Sequence, residues 1–328
     1  MKAAERRRHL WVAAVAGLLM TANAAIAADK PFAAWLDELR LEAAERGISK
    51  ATVQAALTGI EPLPRVLELD RRQPEFTITF TEYLTRVVPG ARVEKGRERL
   101  RESRALLDDI AKRYGVQPRF MVALWGVESD FGRVTGDFSI IQALATLAYD
   151  GRRSAFFRQE LLNALRILDR GDIAPRAMRG SWAGAMGQSQ FMPSSFLNFA
   201  VDHDGDGRRD IWTTRADVLA STANYLAKSG WRADETWGRP VRLPPGFDAS
   251  LASLDIVKPI GQWQALGIRR TDGGDLPTRQ LDSSIILPEG LSGPAYLVYS
   301  NFRVLLKWNR SNFFAIAVGT LADRIEGD

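Results

Sequence analysis

Residues 120–133 read FMVALWGVESDFGR and predict a buried helix that carries one carboxylate near its end. Pro118 suits the first helical position, where its missing N–H costs nothing, and Gly132 is a helix stop signal. The apolar residues between them recur at helical spacing, and Glu128 extends the row that contains Trp125. Glu128 is therefore expected at the C-terminal end of a nearly all-apolar helix.

A carboxylic acid in that position is a candidate general acid. Burial disfavours the charged form and raises the pKa of Glu128, and the negative end of the helix dipole acts in the same direction. A carboxyl group that stays protonated near neutral pH can donate a proton in catalysis. The alternative is a glutamate at the helix rim that faces water, and this stretch alone does not separate the two interpretations.

Composition excludes several kinds of site. The chain has 328 residues, 46% of them hydrophobic, which is enough for a large core and favours two domains or one core with insertions. It has no cysteine, which excludes disulfides, thiolate nucleophiles and lipid attachment through cysteine. Its two histidines are His9 and His203, too few for a multi-histidine zinc site and no basis for a histidine triad.

The first 27 residues have the three-part pattern of a secretory signal peptide. Basic residues up to His9 precede an apolar run over 10–20, and Ala22-Asn23-Ala24 and Ala25-Ile26-Ala27 are small-x-small cleavage signals. The run is shorter than the roughly 20 residues of a membrane span, so an anchor is the weaker alternative. Cleavage after Ala27 removes four positive charges and one negative charge and lowers the formal charge from +5 to +2. We therefore expect an exported protein with no nucleic-acid partner.

The rest of the chain divides into four predicted parts. Residues 28–115 are expected to form an N-terminal α region, in which 91–114 has the pattern of one charged helix. Residues 116–236 contain the helix with Glu128 and two polar loops. Residues 237–294 are rich in Pro and Gly with short apolar runs and predict a small antiparallel β subdomain. Residues 295–328 return to the helical core.

Residues 180–194, GSWAGAMGQSQFMPS, form the first polar loop. They combine three glycines with small residues and side-chain amides, inside an otherwise helical region. Such a stretch favours close approach of the backbone to a ligand. A tight packing turn between helices is the alternative.

Residues 202–213, DHDGDGRRDIWT, form the second polar loop, which has the spacing of an EF-hand calcium loop. Acidic residues occupy positions 1, 3, 5 and 9, and glycine occupies position 6. Thr213 replaces the usual glutamate at position 12, so the later Asp217 is a candidate for the missing ligand. An acidic turn without metal is the alternative. The predicted ligands of a structural Ca²⁺ are Asp202, Asp204, Asp206, Arg208, Asp210 and Asp217.

Together these motifs resemble the membrane-bound lytic transglycosylase B family. The resemblance rests on WGVESDFG at 125–132, GAMGQSQFMPS at 184–194, the Asp-rich loop and RQPEF at 72–76, and it covers nearly the whole mature chain. It implies a mainly α fold of the α+β type, with a lysozyme-like α core, an additional α domain, an EF-hand-like calcium loop and a small antiparallel β subdomain. Without a cysteine for lipidation, the chain is similar to a soluble branch of the family.

The resemblance also implies a function and a set of site residues. It implies a lytic transglycosylase that cleaves the β-1,4 bond between N-acetylmuramic acid and N-acetylglucosamine in peptidoglycan and leaves 1,6-anhydromuramoyl ends, with Glu128 as the single catalytic acid and base. It implies a monomeric protein of the periplasm that acts on glycan strands, and it leaves other cell-wall enzymes open as partners. Trp308 and Phe314 stand where the family often has tyrosines, which keeps stacking surfaces there. The implied substrate-binding residues are Ser181, Met186, Gln190, Tyr225, Trp308 and Asn309.

One carboxylate suffices if the substrate supplies the nucleophile. Most glycosidases pair two carboxylates, whereas Asp130 lies two residues from Glu128 and would point elsewhere on a helix. Glu128 is expected to protonate the leaving oxygen and then to accept the proton of the muramic C6 hydroxyl, which attacks C1. Two alternatives stay open. One is a hydrolytic muramidase with Asp137 as the candidate second carboxylate, and the other is a catalytically silent cell-wall-binding scaffold.

Overall fold

The computed structural model describes residues 30–72 and 78–327. The signal peptide predicted over 1–27 and most of the motif at 72–76 lie outside this part of the chain. Within it, the protein forms fourteen α-helices and seven short β-strands, which agrees with the predicted mainly α fold. None of the helices in these residues is long and apolar enough to cross a membrane.

The N-terminal region is helical, as the periodicity predicts. The charged helix expected over 91–114 is two helices in the structure, because the helix is interrupted at Ser103. The buried Ser103 accepts a hydrogen bond from Arg215 at this break, and serine favours such local interruptions over helix interiors. The helices are α1 (Phe32–Glu45), α2 (Lys50–Leu57), α3 (Pro64–Arg72), α4 (Phe80–Val87), α5 (Gly90–Glu102) and α6 (Arg104–Tyr114).

The next region carries the helix with Glu128 and both polar loops. Its elements are α7 (Pro118–Ser129), β1 (Phe138–Ser139), α8 (Ile140–Tyr149), α9 (Ser154–Asp169), β2 (Arg179–Gly180), α10 (Pro193–Phe199) and α11 (Arg215–Lys228). Strands β1 and β2 form a short antiparallel pair, and β2 ends at Gly180, the first residue of the polar loop 180–194, which is called the glycine-rich loop below. Helix α11 begins two residues before Asp217, so this aspartate lies inside the first helical turn.

A five-stranded antiparallel sheet forms the predicted β subdomain. Its elements are β3 (Gly238–Arg242), β4 (Lys258–Pro259), α12 (Ile260–Ala265), β5 (Arg269–Arg270), β6 (Asp282–Ile286) and β7 (Ala295–Val298). The strand order is β4-β6-β7-β3-β5. The sheet has its own small core, which includes Trp263 and Ile285. Strand β7 pairs with β3 although it follows the expected boundary at 294, because the apolar run 295–298 completes this sheet.

The last two helices, α13 (Ser300–Trp308) and α14 (Asn312–Glu326), return the chain to the helical core. Helix α14 packs against α7, which also contacts α5, α6 and α11. One buried apolar cluster extends from Leu36 in α1 to Ile325 in α14. The N-terminal region and the region that carries α7 therefore share a core, and a domain boundary near 115 stays a prediction. This packing encloses α7 on several sides and leaves its C-terminal end at the surface.

Candidate active site

Glu128 is the second-to-last residue of α7, where the buried helix meets the surface. Eight of the twelve residues of α7 are buried, whereas Glu128 is partly exposed. The chain leaves the helix through Asp130 and Phe131, which both lie in the left-handed region with φ of 50° and 61°. Positive φ at bulky non-glycine residues is strained, and such strain clusters at functional sites. The geometry thus marks this helix end as a candidate site.

Three cations surround the carboxylate of Asp130 at this corner. Its oxygens lie 2.6 Å from Nε of Arg133, 3.6 Å from Nε of Arg92 and 3.9 Å from Nζ of Lys95. Burial acts to raise the pKa of Asp130, but the hydrogen bond from Arg133 and the charges of Lys95 and Arg92 outweigh it and lower the pKa. Asp130 is therefore a stable anion that is already paired.

Glu128 has a different environment. Burial raises its pKa to about 7, and a hydrogen bond from Trp308 acts in the opposite direction. The indole Nε1 of Trp308 donates this bond to Oε1 of Glu128 at 2.7 Å. A carboxyl group with a near-neutral pKa can both donate and accept a proton at physiological pH. Trp308 was expected in the site as a substrate contact, and its role as the partner of Glu128 is an addition that comes from the structure.

Aromatic side chains hold Trp308 in place. Its ring packs edge-on against Tyr225, with ring centroids 4.7 Å apart, and tilted against Phe191 at 5.2 Å. The hydroxyl of Tyr225 donates a 2.6 Å hydrogen bond to the backbone carbonyl of Lys307. Tyr225 and Trp308, which are 83 residues apart in the chain, are thus in direct contact beside Glu128. Phe191 completes this cluster and was not predicted, although it lies within the glycine-rich motif.

The glycine-rich loop is a turn held by backbone pairing. Met186 forms antiparallel bridges with Gly180 and Phe191. Gly180 cannot be replaced easily, because a Cβ there would lie 2.1 Å from the carbonyl oxygen of Ala185. Met186 differs from the sequence expectation of a substrate contact. Its side chain is fully buried and belongs to the main apolar core.

Ser181 and Gln190 occupy the two ends of this loop and are both partly exposed. The hydroxyl of Ser181 accepts the backbone N–H of Ala185 at 3.0 Å. The amide nitrogen of Gln190 donates to the carbonyls of Thr135 at 3.0 Å and Gly187 at 2.8 Å. These bonds fix the amide plane of Gln190, while its side-chain oxygen has no protein partner within the described residues. That oxygen can accept a hydrogen bond from a ligand.

Asn309 follows Trp308 at the end of α13 and is exposed. Its Oδ1 accepts the backbone N–H of Ser311 at 3.0 Å, and its amide nitrogen has no protein partner in the described part of the chain. Asn309 is therefore oriented and carries a free donor. Phe314 differs from the expectation of a stacking surface, because it lies in the first turn of α14 with 6% of its surface exposed and packs into the core.

Three of the predicted calcium ligands lie together. Carboxylate oxygens of Asp202, Asp204 and Asp217 lie within 4.8 Å of one another. Asp217 is fully buried. Its burial raises its pKa, as do the charges of Asp204 and Asp202, against hydrogen bonds from the backbone of His203 and Asp210. Three hard oxygen donors fit Ca²⁺, and a bound cation would offset the repulsion among them.

The remaining predicted calcium ligands make contacts within the protein. Oδ1 of Asp210 accepts the backbone N–H groups of Trp212 and Thr213, each at 2.8 Å. Oδ1 of Asp206 accepts the backbone N–H of Arg208 at 2.8 Å, and its Oδ2 pairs with the Arg208 guanidinium at 3.1 Å. These bonds shape the loop, and metal ligation by Asp206, Arg208 and Asp210 stays a prediction.

The sequence and the fold are similar to those of known proteins. The chain matches the family described as "Transglycosylase SLT domain" over residues 31–323. It is 30% identical over 296 residues to membrane-bound lytic murein transglycosylase B of Escherichia coli, which covers 86% of this chain and 79% of that protein.

Solved structures agree with this match. SltB3 from Pseudomonas aeruginosa, in complex with NAG-NAM-pentapeptide, superimposes with a TM-score of 0.89 at 48% identity and covers 91% of this chain and 80% of that chain. SltB3 in complex with NAG-anhNAM-pentapeptide gives the same values. The Escherichia coli lytic transglycosylase Slt35 in complex with calcium matches with a TM-score of 0.76 at 28% identity over 91% of this chain and 94% of that chain. The chain therefore belongs to the transglycosylase SLT domain family.

Proposed function

We propose that this protein is a peptidoglycan lytic transglycosylase that cleaves the MurNAc-β-1,4-GlcNAc bond and forms 1,6-anhydroMurNAc ends. The observation that carries the proposal is the environment of Glu128, a single carboxyl group whose pKa is raised to about 7 and which accepts a hydrogen bond from Trp308. Relatives of this protein support the reaction class, since one is named a lytic murein transglycosylase and another was crystallised with an anhydro sugar.

Glu128 performs both proton transfers in the proposed reaction. Its proton moves to the bridging O4 as the C1–O4 bond breaks. The resulting carboxylate then accepts the proton of the muramic C6 hydroxyl while O6 forms a bond to C1. The substrate N-acetyl oxygen assists at C1, as in substrate-assisted glycosidases. No water is consumed, and the proton that leaves Glu128 is replaced by the one it takes from O6.

A hydrolytic muramidase needs a second carboxyl group that this helix end does not supply. An inverting hydrolase places it roughly 6.5–9.5 Å from the acid and a retaining one about 5–5.5 Å away. Asp130 is neutralised by Arg92, Lys95 and Arg133, and Asp137 is exposed to solvent. A silent scaffold would not require an acid poised near neutral pH. The transglycosylase reaction is therefore the better match to the chemistry of the site.

We further propose that exposed polar groups around Glu128 bind the sugars. The free side-chain oxygen of Gln190 can accept a sugar hydroxyl, and the free amide nitrogen of Asn309 can donate to an N-acetyl carbonyl. Trp308 offers partly exposed aromatic surface at the same place, and sugars pack against such rings through their apolar faces. Tyr225 is buried and packs against the ring of Trp308, so we propose that it acts on the substrate through Trp308. Ser181 completes the proposed set.

The calcium loop is proposed to stabilise the fold and to take no part in the chemistry. The clustering of Asp202, Asp204 and Asp217 supports it, as does the calcium complex of Slt35. These three side chains would hold Ca²⁺ through their carboxylate oxygens. The ion would supply positive charge that neutralises them and fixes the loop at the start of α11.

We propose that the protein is exported to the periplasm. The peptidoglycan substrate lies outside the cytoplasmic membrane, and residues 1–27 have the pattern of a signal peptide. A monomeric state and the absence of a stable membrane anchor stay predictions, as do contacts with other cell-wall enzymes.

Product analysis tests the proposed function. Purified peptidoglycan is digested with the wild-type protein and with lysozyme, and the soluble fragments are compared by mass spectrometry before and after borohydride reduction. We expect fragments one water lighter than those from lysozyme and resistant to reduction. Glu128→Gln is the control, because the amide keeps the shape of the side chain but cannot donate the proton, and it should release no product. Reducible muramic acid ends as the main product would contradict the proposal.

A further inference from the structure

Gln188 connects two segments of the protein through four hydrogen bonds. On one side, its Oε1 accepts the indole N–H of Trp125 at 2.8 Å, and its backbone carbonyl accepts the hydroxyl of Ser129 at 2.7 Å. On the other side, its backbone N–H donates to the carbonyl of Ile211 at 2.8 Å, and its Nε2 donates to the carbonyl of Trp212 at 2.7 Å. The residue thus joins α7 to the end of the Asp-rich loop.

The two contacts on α7 lie on either side of Glu128. Trp125 is three residues before the acid and Ser129 is one residue after it, and both side chains are almost fully buried. The hydroxyl of Ser129 also accepts the backbone N–H of Gly132 at 3.0 Å. This bond connects the helix end to the residue that follows the left-handed pair Asp130 and Phe131. Gly132 leaves room for the amide, because a Cβ there would lie 2.2 Å from Oε1 of Gln188.

We propose that Gln188 is a positioning residue for the catalytic acid. It fixes the last turn of α7, and with it the carboxyl group of Glu128, against the Asp-rich loop. The inference rests on the proposed function, in which Glu128 must reach first O4 and then O6 of the substrate. A displacement of the acid by about 1 Å can lower the rate about 100-fold. Loss of Gln188 should therefore reduce turnover more than stability alone explains.

The chain contains a matched control at the other end of the same helix. Gln117, the N-cap of α7, accepts the indole N–H of Trp231 at 2.8 Å. Its amide nitrogen donates to the carbonyls of Ala233 at 2.6 Å and Glu235 at 3.0 Å. Gln117 therefore has the same side-chain chemistry as Gln188 but lies eleven residues before Glu128. We expect its substitution to perturb the start of the helix and to leave the acid in place.

The test compares Gln188→Met with Gln117→Met, since methionine keeps the length of the side chain and removes its hydrogen bonds. The folded fraction of each variant is measured first. Its kcat and KM are then measured on soluble peptidoglycan fragments, with release of the anhydro product as the readout. We expect kcat of Gln188→Met to fall about 10- to 100-fold with little change in KM. Gln117→Met should keep kcat within about twofold per folded molecule. Equal kcat values for the two variants would overturn the inference.

A second pair keeps the test informative if Gln188→Met does not fold. Trp125→Phe removes the indole donor to Gln188 and keeps most of the ring, and Trp231→Phe does the same for Gln117. We expect kcat to fall only in Trp125→Phe, and full kcat in both variants would refute the positioning role. In a double-mutant cycle, Trp125→Phe should cost little more once Gln188→Met is present, because the shared bond is already lost. A wild-type protein that yields no anhydro product would instead contradict the proposed function.

Discussion

Replacing Glu128 by glutamine should stabilise the folded protein at alkaline pH and have little effect at pH 4. Glutamine keeps the acceptor for Trp308 but carries no charge. In the wild-type protein burial raises the pKa of Glu128 from 4.5 to about 7, so the folded state holds a proton that the unfolded state has released between these values. The stability that this proton contributes is fully present below pH 4.5 and is lost as the pH rises through 7.

The size of the effect follows from the shift in pKa. The difference between 4.5 and about 7 corresponds to roughly 3 kcal/mol, at about 1.36 kcal/mol for each pKa unit. Because Glu128 is partly exposed, solvent screening reduces this value, and we expect about 1–3 kcal/mol. The free energy of unfolding of Glu128→Gln, relative to wild type, should therefore rise by this amount between pH 4 and pH 8.

Urea unfolding of both proteins across this pH range measures the difference directly. Glu98→Gln is the control, since Glu98 is an exposed glutamate on α5 and its replacement makes the same chemical change at a solvated position. A flat difference for Glu128→Gln would refute the conclusion that the fold holds Glu128 protonated. A difference that falls with pH would show the opposite, a carboxylate that the folded state stabilises.

Three further predictions concern the hydrogen bond from Trp308 to Glu128, the Asp-rich loop and the candidate second carboxylate. Trp308→Phe removes a hydrogen bond that lowers the pKa of Glu128, so the pH at which kcat/KM declines should move up by about one unit. Trp263→Phe, which loses an indole hydrogen bond in the β subdomain, is the control and should leave that pH unchanged. A downward move of that pH in Trp308→Phe would contradict the assignment. Calcium added to metal-free protein should raise the melting temperature of the wild type but not of Asp202→Ala, and a wild-type melting curve that calcium leaves unmoved would mean that the loop is only an acidic turn. Asp137→Asn should reduce kcat less than about threefold, whereas a loss close to the 10²–10⁴-fold typical of a missing acid or base would make Asp137 the second carboxylate.

The features that the sequence predicts well are those set by neighbouring residues. Helix α7 follows from an N-terminal proline, apolar residues at helical spacing and a glycine stop, so Glu128 could be placed at its end without a structure. The contact between Glu128 and Trp308 could not, because 180 residues separate them and no local pattern records which distant side chain will face a helix end. The same holds for Gln188, whose type suggested a polar contact but whose partners depend on tertiary packing.

The expectations that differ from the structure share a physical cause. Met186 lies within a family motif and Phe314 lies where the family often has tyrosine, and such a correspondence identifies a backbone segment without stating which way each side chain points. The backbone bridges of Met186 turn its side chain into the core, and Phe314 packs inward from the first turn of α14. Apolar side chains gain more from such burial than from an exposed place in a site.

Two acids at the same helix end have contrasting environments, and this contrast favours a one-carboxylate mechanism. Burial holds the pKa of Glu128 near 7, whereas the surrounding cations lower that of Asp130. Environments that separate two acids in this way assign them different roles. Asp130 is an anion committed to Arg92, Lys95 and Arg133, so its lone pairs are engaged where a base or nucleophile would need them free. The helix end therefore offers one candidate proton donor, and in the proposed reaction the nucleophile comes from the substrate, because the C6 hydroxyl of the muramic sugar attacks its own C1.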